Sequence, residues 1–212
     1  MLGIICAMKI EAEGLIDLMT EKSEVKCLGY TFTSGAINGK KITVVLCGIG
    51  KANAAAVTAL LIHNFNVSEV INLGVCGGLK AGAMIVADSV VQYDFDTTAF
   101  GDELGKVDGF DSPYIKCSWE LTSRIQGECR GVIASGDKFI ADENFKSFLI
   151  EHFGAIGFDM ESGAVAQICA KSGVKFAIVR VVSDGGDATE YEKFKVMAAK
   201  KGIEAVVGYS NN

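Results

Sequence analysis

A single α/β domain, with a covered central sheet flanked by helices, is the fold class this sequence predicts, on three observations. Apolar runs of strand length alternate with longer segments of helical periodicity. The strand runs are apolar at successive positions, as in a sheet covered on both faces. The chain is 212 residues long and 50% hydrophobic, enough for one domain with a substantial core.

The run Leu2 to Ala7 reads as a buried strand, and helical periodicity follows from Glu11 to Met19. Tyr30 to Asn38 reads as one arm of a hairpin closed by Asn38-Gly39, leading to a strand at Lys41 to Cys47 and a helix at Lys51 to Phe65. Strands are expected at Glu69 to Leu73 and Met84 to Gln92, with a glycine-rich turn, Gly74 to Gly78, after the first. Asp94 to Ser118 lacks periodicity and carries three glycines plus Pro113, the only proline, which predicts a long functional loop. Beyond it, strands at Gly131 to Ser135, Ala155 to Met160 and Phe176 to Ser183 alternate with helices at Asn144 to Phe153, Glu161 to Lys171 and Tyr191 to Val207. No internal repeat, low-complexity segment or linker interrupts this order.

Composition narrows the function. The net charge of -6 offers no electrostatic footprint for nucleic acid or an anionic membrane surface. No apolar run reaches the roughly 20 residues of a membrane span, and no basic, apolar leader opens the chain. The seven cysteines are scattered, odd in number and never spaced C-x-x-C, so they read as reduced packing residues of a cytoplasmic protein. The two histidines, His63 and His152, sit in helical contexts, which leaves little material for a histidine triad or a zinc site. No metal and no cofactor is expected.

Carboxylates remain. Glu11, Glu161 and Asp184 each follow a strand, where ligands gather in α/β sheets. Singly, each reads as an acid at a helix N-terminus; together they can converge on one cleft. The glycine-rich segments Gly48-Ile49-Gly50-Lys51 and Gly74-Val75-Cys76-Gly77-Gly78 complete neither G-x-x-x-x-G-K-[ST] nor G-x-G-x-x-G, so they are not phosphate-binding fingerprints.

An ordered series of segments resembles the 5'-methylthioadenosine/S-adenosylhomocysteine nucleosidases, within the nucleoside phosphorylase superfold, over nearly the whole chain. It comprises Gly3 to Met8 with Glu11, Gly48 to Ala55, Asn72 to Leu79, Thr98 to Gly101, Ser135 to Ile140, Asp159 to Ala166 and Arg180 to Asp184. The resemblance implies a mixed, twisted sheet and cleavage of the N-ribosidic bond of a purine nucleoside, with a small-molecule substrate and a homodimer. It implies Asp184 as the acid serving N7 of the base and Glu11 as the carboxylate that activates water. Glu161 would accept hydrogen bonds from the ribose hydroxyls, with Met160 against the sugar, Phe139 stacked on the base, and Ile140 reading the adenine edge through its backbone. Val75, Cys76 and Gly77 would line the substrate, Arg180 would stand near the ribose, and Phe100 would reach the neighbouring subunit's pocket.

Three departures bear on the substrate. Val75 stands where the family usually has Ser, Asp102 where a common pattern has an aromatic, and Asp159 where Glu is commoner. A sister hydrolase, for example one acting on futalosine, remains open, as do a purine nucleoside phosphorylase and a non-catalytic nucleoside binder. A phosphorylase needs cationic or hydroxyl groups around its phosphate, whereas this chain has Asn72 and Val75 at the glycine-rich segment and no arginine before Arg124.

Overall fold

The structure, a computed structural model, describes residues 1–184 and 188–210, with the side chains of 184–195 outside the described residues. Strand β1 (Leu2–Cys6), buried along its whole length, leads into helix α1 (Lys9–Leu18). An antiparallel meander follows, β2 (Thr20–Cys27), β3 (Tyr30–Ile37) and β4 (Lys40–Leu46), and then α2 (Lys51–Phe65). The long strands β5 (Glu69–Gly78) and β6 (Met84–Gln92) precede a 3-10 turn at Thr98–Phe100, β7 (Tyr114–Lys116) and the short α3 (Trp119–Thr122). The chain then alternates strictly: β8 (Cys129–Ser135), α4 (Glu143–Phe153), β9 (Ala155–Asp159), α5 (Ser162–Lys171), β10 (Lys175–Asp184) and α6 (Ala188–Ser210).

The mixed sheet, flanked by helices, is a ladder that closes on itself at one end. The ladder runs β2, β3, β4, β1, β5, with β1 parallel to both β4 and β5. Beyond it, β5 pairs with β10, β10 with β6, β6 with β8, β8 with β9, and β9 returns antiparallel to β5, so five strands form a closed barrel. Strand β5 belongs to both parts. Along one edge it carries β10; along the other it carries β1 as far as Leu73 and then β9 at Gly77 and Gly78. Between these two partners, residues 74–76 have no strand on that edge.

Two apolar layers sandwich the sheet. On one face Ala54, Val57 and Leu61 of α2 meet Ala164, Val165 and Cys169 of α5; on the other, Ala12 and Leu15 of α1 meet Ala198 and Val206 of α6. A smaller cluster seats Leu149 and Phe153 of α4 on the barrel. All seven cysteines are free thiols, in keeping with their reading as packing residues.

The expected strands and long helices are present, with ends within three residues of expectation except in β5. There, the segment read as a glycine-rich turn continues the strand through Gly78. Its glycines serve close packing inside the sheet, since a Cβ on Gly78 would stand 2.8 Å from Val182 Cγ2 and 3.0 Å from the Ile156 carbonyl oxygen. Strand β2 carries no apolar alternation because it is a largely exposed edge, and charged residues protect such an edge from pairing with other chains. The segment Asp94 to Ser118 is not wholly irregular either, as β7 pairs with β6 within it.

The crowding at Gly78 yields a stability prediction. Gly78→Ala should cost about 1–3 kcal/mol, the usual penalty for overpacking, measured by urea unfolding; a loss below about 0.5 kcal/mol, a surface-like effect, would mean β5 and β9 can part without penalty.

Candidate active site

A cavity of ≈ 200 Å³ opens where β1 and β5 diverge. Its wall is mostly apolar, with Met8, Ile49, Phe139, Phe158 and Met160, and it holds the carboxylates of Glu11 and Glu161. Val75, Cys76 and Gly77 of β5 form part of the same wall. Seven of the residues expected at the site therefore meet in one place: Glu11, Glu161, Met160, Phe139, Val75, Cys76 and Gly77.

Glu11 sits in the first turn of α1 and is buried. Its Oε2 accepts hydrogen bonds from the N–H groups of Ala7 (2.9 Å) and Met8 (2.8 Å), and its Oε1 accepts one from Val75 N–H (3.0 Å). These donors lie where β1 ends and where β5 has lost its neighbour, so the carboxylate replaces the missing strand. Burial raises the Glu11 pKa above its ordinary value, against the lowering effect of those N–H groups and of Arg180. The contact at position 75 uses the backbone, so valine there leaves Glu11 its donor.

Glu161 occupies the N-cap position of α5 without a side-chain capping bond, and its Oε1 accepts a hydrogen bond from Gly50 N–H at 3.0 Å. Its pKa is raised to about 7, first by burial and then by the neighbouring Asp159 charge, with Arg180 and Gly50 opposing.

Arg180 does not stand at the cavity surface, contrary to expectation. It is buried beneath it, 1% exposed, and its Nη2 lies 2.7 Å from Asp159 Oδ2. Its Nε also donates to Asp159 Oδ2, and Nη1 donates to the Asn72 carbonyl at 3.0 Å. A guanidinium buried this deeply needs every donor engaged, and Asn72, Val179 and Asp159 supply the acceptors. The shorter Asp159 still reaches it, and the cation beneath the floor partly offsets the carboxylates above.

Two further expectations fall away from the cavity in this single chain. Ile140 is buried and does not line it, while Phe100 lies on the 3-10 turn with 88% of its surface exposed. Asp102 is also on the surface, 3.7 Å from Lys106, so its charge is countered outside the cavity. The backbone of Asp184 ends β10 opposite Gly77, directly after the cavity-lining Ser183; its carboxyl group lies outside the described residues. Sequence reasoning missed Ala7, Met8, Ile49, Phe158, Asp159 and Ser183 as wall residues, although Phe158 adjoins a recognised segment and the other five lie inside one. Among the described residues no cluster of His, Cys, Asp and Glu has the makings of a metal site, and no helix is long and apolar enough to cross a membrane.

The chain matches the Phosphorylase superfamily over residues 1–209. It is 36% identical to a 5'-methylthioadenosine/S-adenosylhomocysteine nucleosidase of Haemophilus influenzae, over 98% of this chain and 97% of that protein. A nucleosidase of the same name from Geobacillus thermodenitrificans is 34% identical over 97% and 94%. The chain belongs to the 5'-methylthioadenosine/S-adenosylhomocysteine nucleosidase family. Among solved structures, the nucleosidase of S. pneumoniae with the transition-state inhibitor MT-ImmA superposes with a TM-score of 0.94 at 26% identity, covering 99% of this chain and 97% of that one. The futalosine hydrolase of Helicobacter pylori superposes almost as well, with a TM-score of 0.93 at 29% identity, covering 99% and 97%. The nucleosidase family and that hydrolase thus share this backbone, and cavity-wall side chains have to separate their substrates.

The raised Glu161 pKa carries a signed consequence for stability. From the ordinary 4.5 up to about 7, the native state keeps a proton that the unfolded chain has lost. Glu161 therefore favours the folded state below this window and loses that contribution as pH rises through it. Relative to Glu161→Gln, the natural protein should lose on the order of 3 kcal/mol between pH 4.5 and 7.5. Parallel unfolding curves for the two proteins across that range would refute the shift.

Proposed function

We propose that this protein hydrolyses the N-ribosidic bond of 5'-methylthioadenosine and S-adenosylhomocysteine, releasing adenine and the 5'-thioribose product. The observation that carries this reading is Glu11, a buried carboxylate fixed by three backbone N–H groups at the edge of an apolar cavity. A carboxylate has about four acceptor directions; three are taken, and the fourth can hold a water. Burial makes Glu11 a stronger base than an exposed glutamate, suited to taking a proton from that water as it attacks the anomeric carbon.

As the bond to the base breaks, positive charge develops on the ribose, and Glu11 and Glu161 bring negative charge to the same cavity. Glu161 accepts hydrogen bonds from the ribose hydroxyls in its ionised form, Met160 packs on the sugar, and Phe139 stacks on the purine. Asp184 donates a proton to N7 so that the base leaves neutral. Ile140 supports the Phe139 segment, with its backbone toward the adenine edge. Arg180 acts from below by holding Asp159 and Asn72. The exposed Phe100 completes the 5' pocket of a second copy in a homodimer. The reaction needs no cofactor, and the protein works in the cytoplasm.

Water is favoured over phosphate by the charge of the wall. None of the described residues lining the cavity is cationic, while Glu11, Asp159 and Glu161 are all acidic; a phosphate dianion there would meet repulsion with no arginine or lysine to bind it. Adenine release from 5'-methylthioadenosine, followed by chromatography, should therefore run at the same rate in phosphate-free buffer and with added phosphate. Strict dependence on phosphate would make the protein a phosphorylase, and release of base from futalosine alone would move it to the sister activity. Glu11→Gln and Asp184→Asn should each lower kcat by at least about 100-fold, in line with the loss of a general base or acid, while nucleoside still raises the melting temperature. Near-normal turnover by either variant would remove that residue from its role.

A further inference from the structure

One cation outside the cavity ties together the segments that build it. Lys51, the first residue of α2, donates from Nζ to Asp94 Oδ1 at 2.5 Å and to Gln92 Oε1 at 3.2 Å, both at the end of β6. Its own N–H donates to Asp137 Oδ1 at 2.7 Å, and Asp137 N–H donates to Asp94 Oδ2 at 2.9 Å. Gln92 in turn donates to the Gly163 carbonyl in the first turn of α5. Three elements that meet only in the tertiary structure, the β4–α2 turn, the end of β6 and the turn after β8, are thus joined at one lysine, through its ammonium to Asp94 and Gln92 and through its backbone N–H to Asp137.

The residue before Lys51 is the one that touches the site. Gly50 has φ of 100°, in the region open to glycine, and a Cβ there would stand 3.2 Å from Asp137 Oδ1. Held in this way, Gly50 aims its N–H at Glu161 Oε1. The Lys51 and Asp94 side chains are only 19% and 30% exposed, so their attraction is less screened than that of a surface pair. Without the ammonium, the tie from Lys51 to Asp94 and Gln92 at the end of β6 is lost, and the Asp137 N–H contact to Asp94 is left to hold the turn. With that ion pair gone the turn is free to swing, and Gly50 with it.

We propose that Lys51, through Asp94 and Asp137, is a positioning residue that sets the Gly50 N–H against Glu161 and so controls recognition of the ribose. The proposal rests on the hydrolase reading for its kinetic consequence, but its geometric part stands apart from any substrate. Lys51 touches neither the base nor the sugar; it acts through Glu161.

The test compares Lys51→Met, Lys51→Arg and Asp94→Asn with the natural protein. By amide hydrogen exchange, Gly50 in Lys51→Met should exchange about 10-fold faster while core amides such as Val70 are unchanged, the pattern of a local opening. The KM for 5'-methylthioadenosine should rise about 10-fold, with the inhibition constant of free adenine within about 2-fold, because a small misplacement at Glu161 affects the sugar and not the base. Lys51→Arg should restore both readouts. Asp94→Asn, which keeps the acceptor oxygen and loses the charge, should move both in the direction of Lys51→Met, and it decides the matter if Lys51→Met does not fold. Unchanged Gly50 exchange, or equal losses for nucleoside and adenine, would overturn the proposal. If the natural protein releases no adenine from 5'-methylthioadenosine, the hydrolase reading fails, and the exchange measurement alone still decides whether Lys51 positions Gly50.

Discussion

The structure depends on one parting of strands. Strand β5 serves both the open ladder and the closed barrel of the one sheet, and in passing from β1 to β9 it leaves a short stretch of its edge without a neighbour. Unpaired backbone donors inside a protein are costly, and here the Glu11 carboxylate takes the Val75 N–H together with those of Ala7 and Met8. The same act stabilises the split, starts α1 and fixes a carboxylate at the mouth of a cavity. The side chain that completes the fold at this point is thus also part of the cavity wall.

A second constraint lies one layer below. A charge as deeply buried as Arg180 is tolerated only because Asp159, Asn72 and a main-chain carbonyl saturate it. In exchange it places a positive charge beneath a cavity that gathers three acids, Glu11, Asp159 and Glu161. The raised pKa of Glu161 shows that the offset is incomplete, since burial and Asp159 still outweigh Arg180 and the Gly50 N–H.

Much of this was legible in the residues. The alternation of buried runs and periodic helices marks the α/β architecture, and Glu11 and Glu161 mark strand ends because a carboxylate at the start of a helix is favoured by the exposed N–H groups there. The glycines of Gly74 to Gly78 were misread, because glycine signals both a turn and a close approach, and only the packing of Val182 and the Ile156 carbonyl against Gly78 tells them apart. Strand β2 escaped notice since an exposed edge needs no apolar face. The depth of Arg180 is not legible either, because sequence gives a residue's neighbours along the chain and not its burial.

The sequence by itself determined the class of fold and the family, and singled out Glu11 and Glu161, which line one cavity, because these are written in local periodicity, residue type and ordered motifs. The tertiary structure alone decided the closure of the barrel through β5 and the burial of Arg180 on Asp159. It alone brought Lys51, Asp94 and Asp137 together from three separate segments. The physical reason is the same in each case: these features arise from long-range satisfaction of buried polar groups, and which donor meets which acceptor is settled only when distant strands share one sheet.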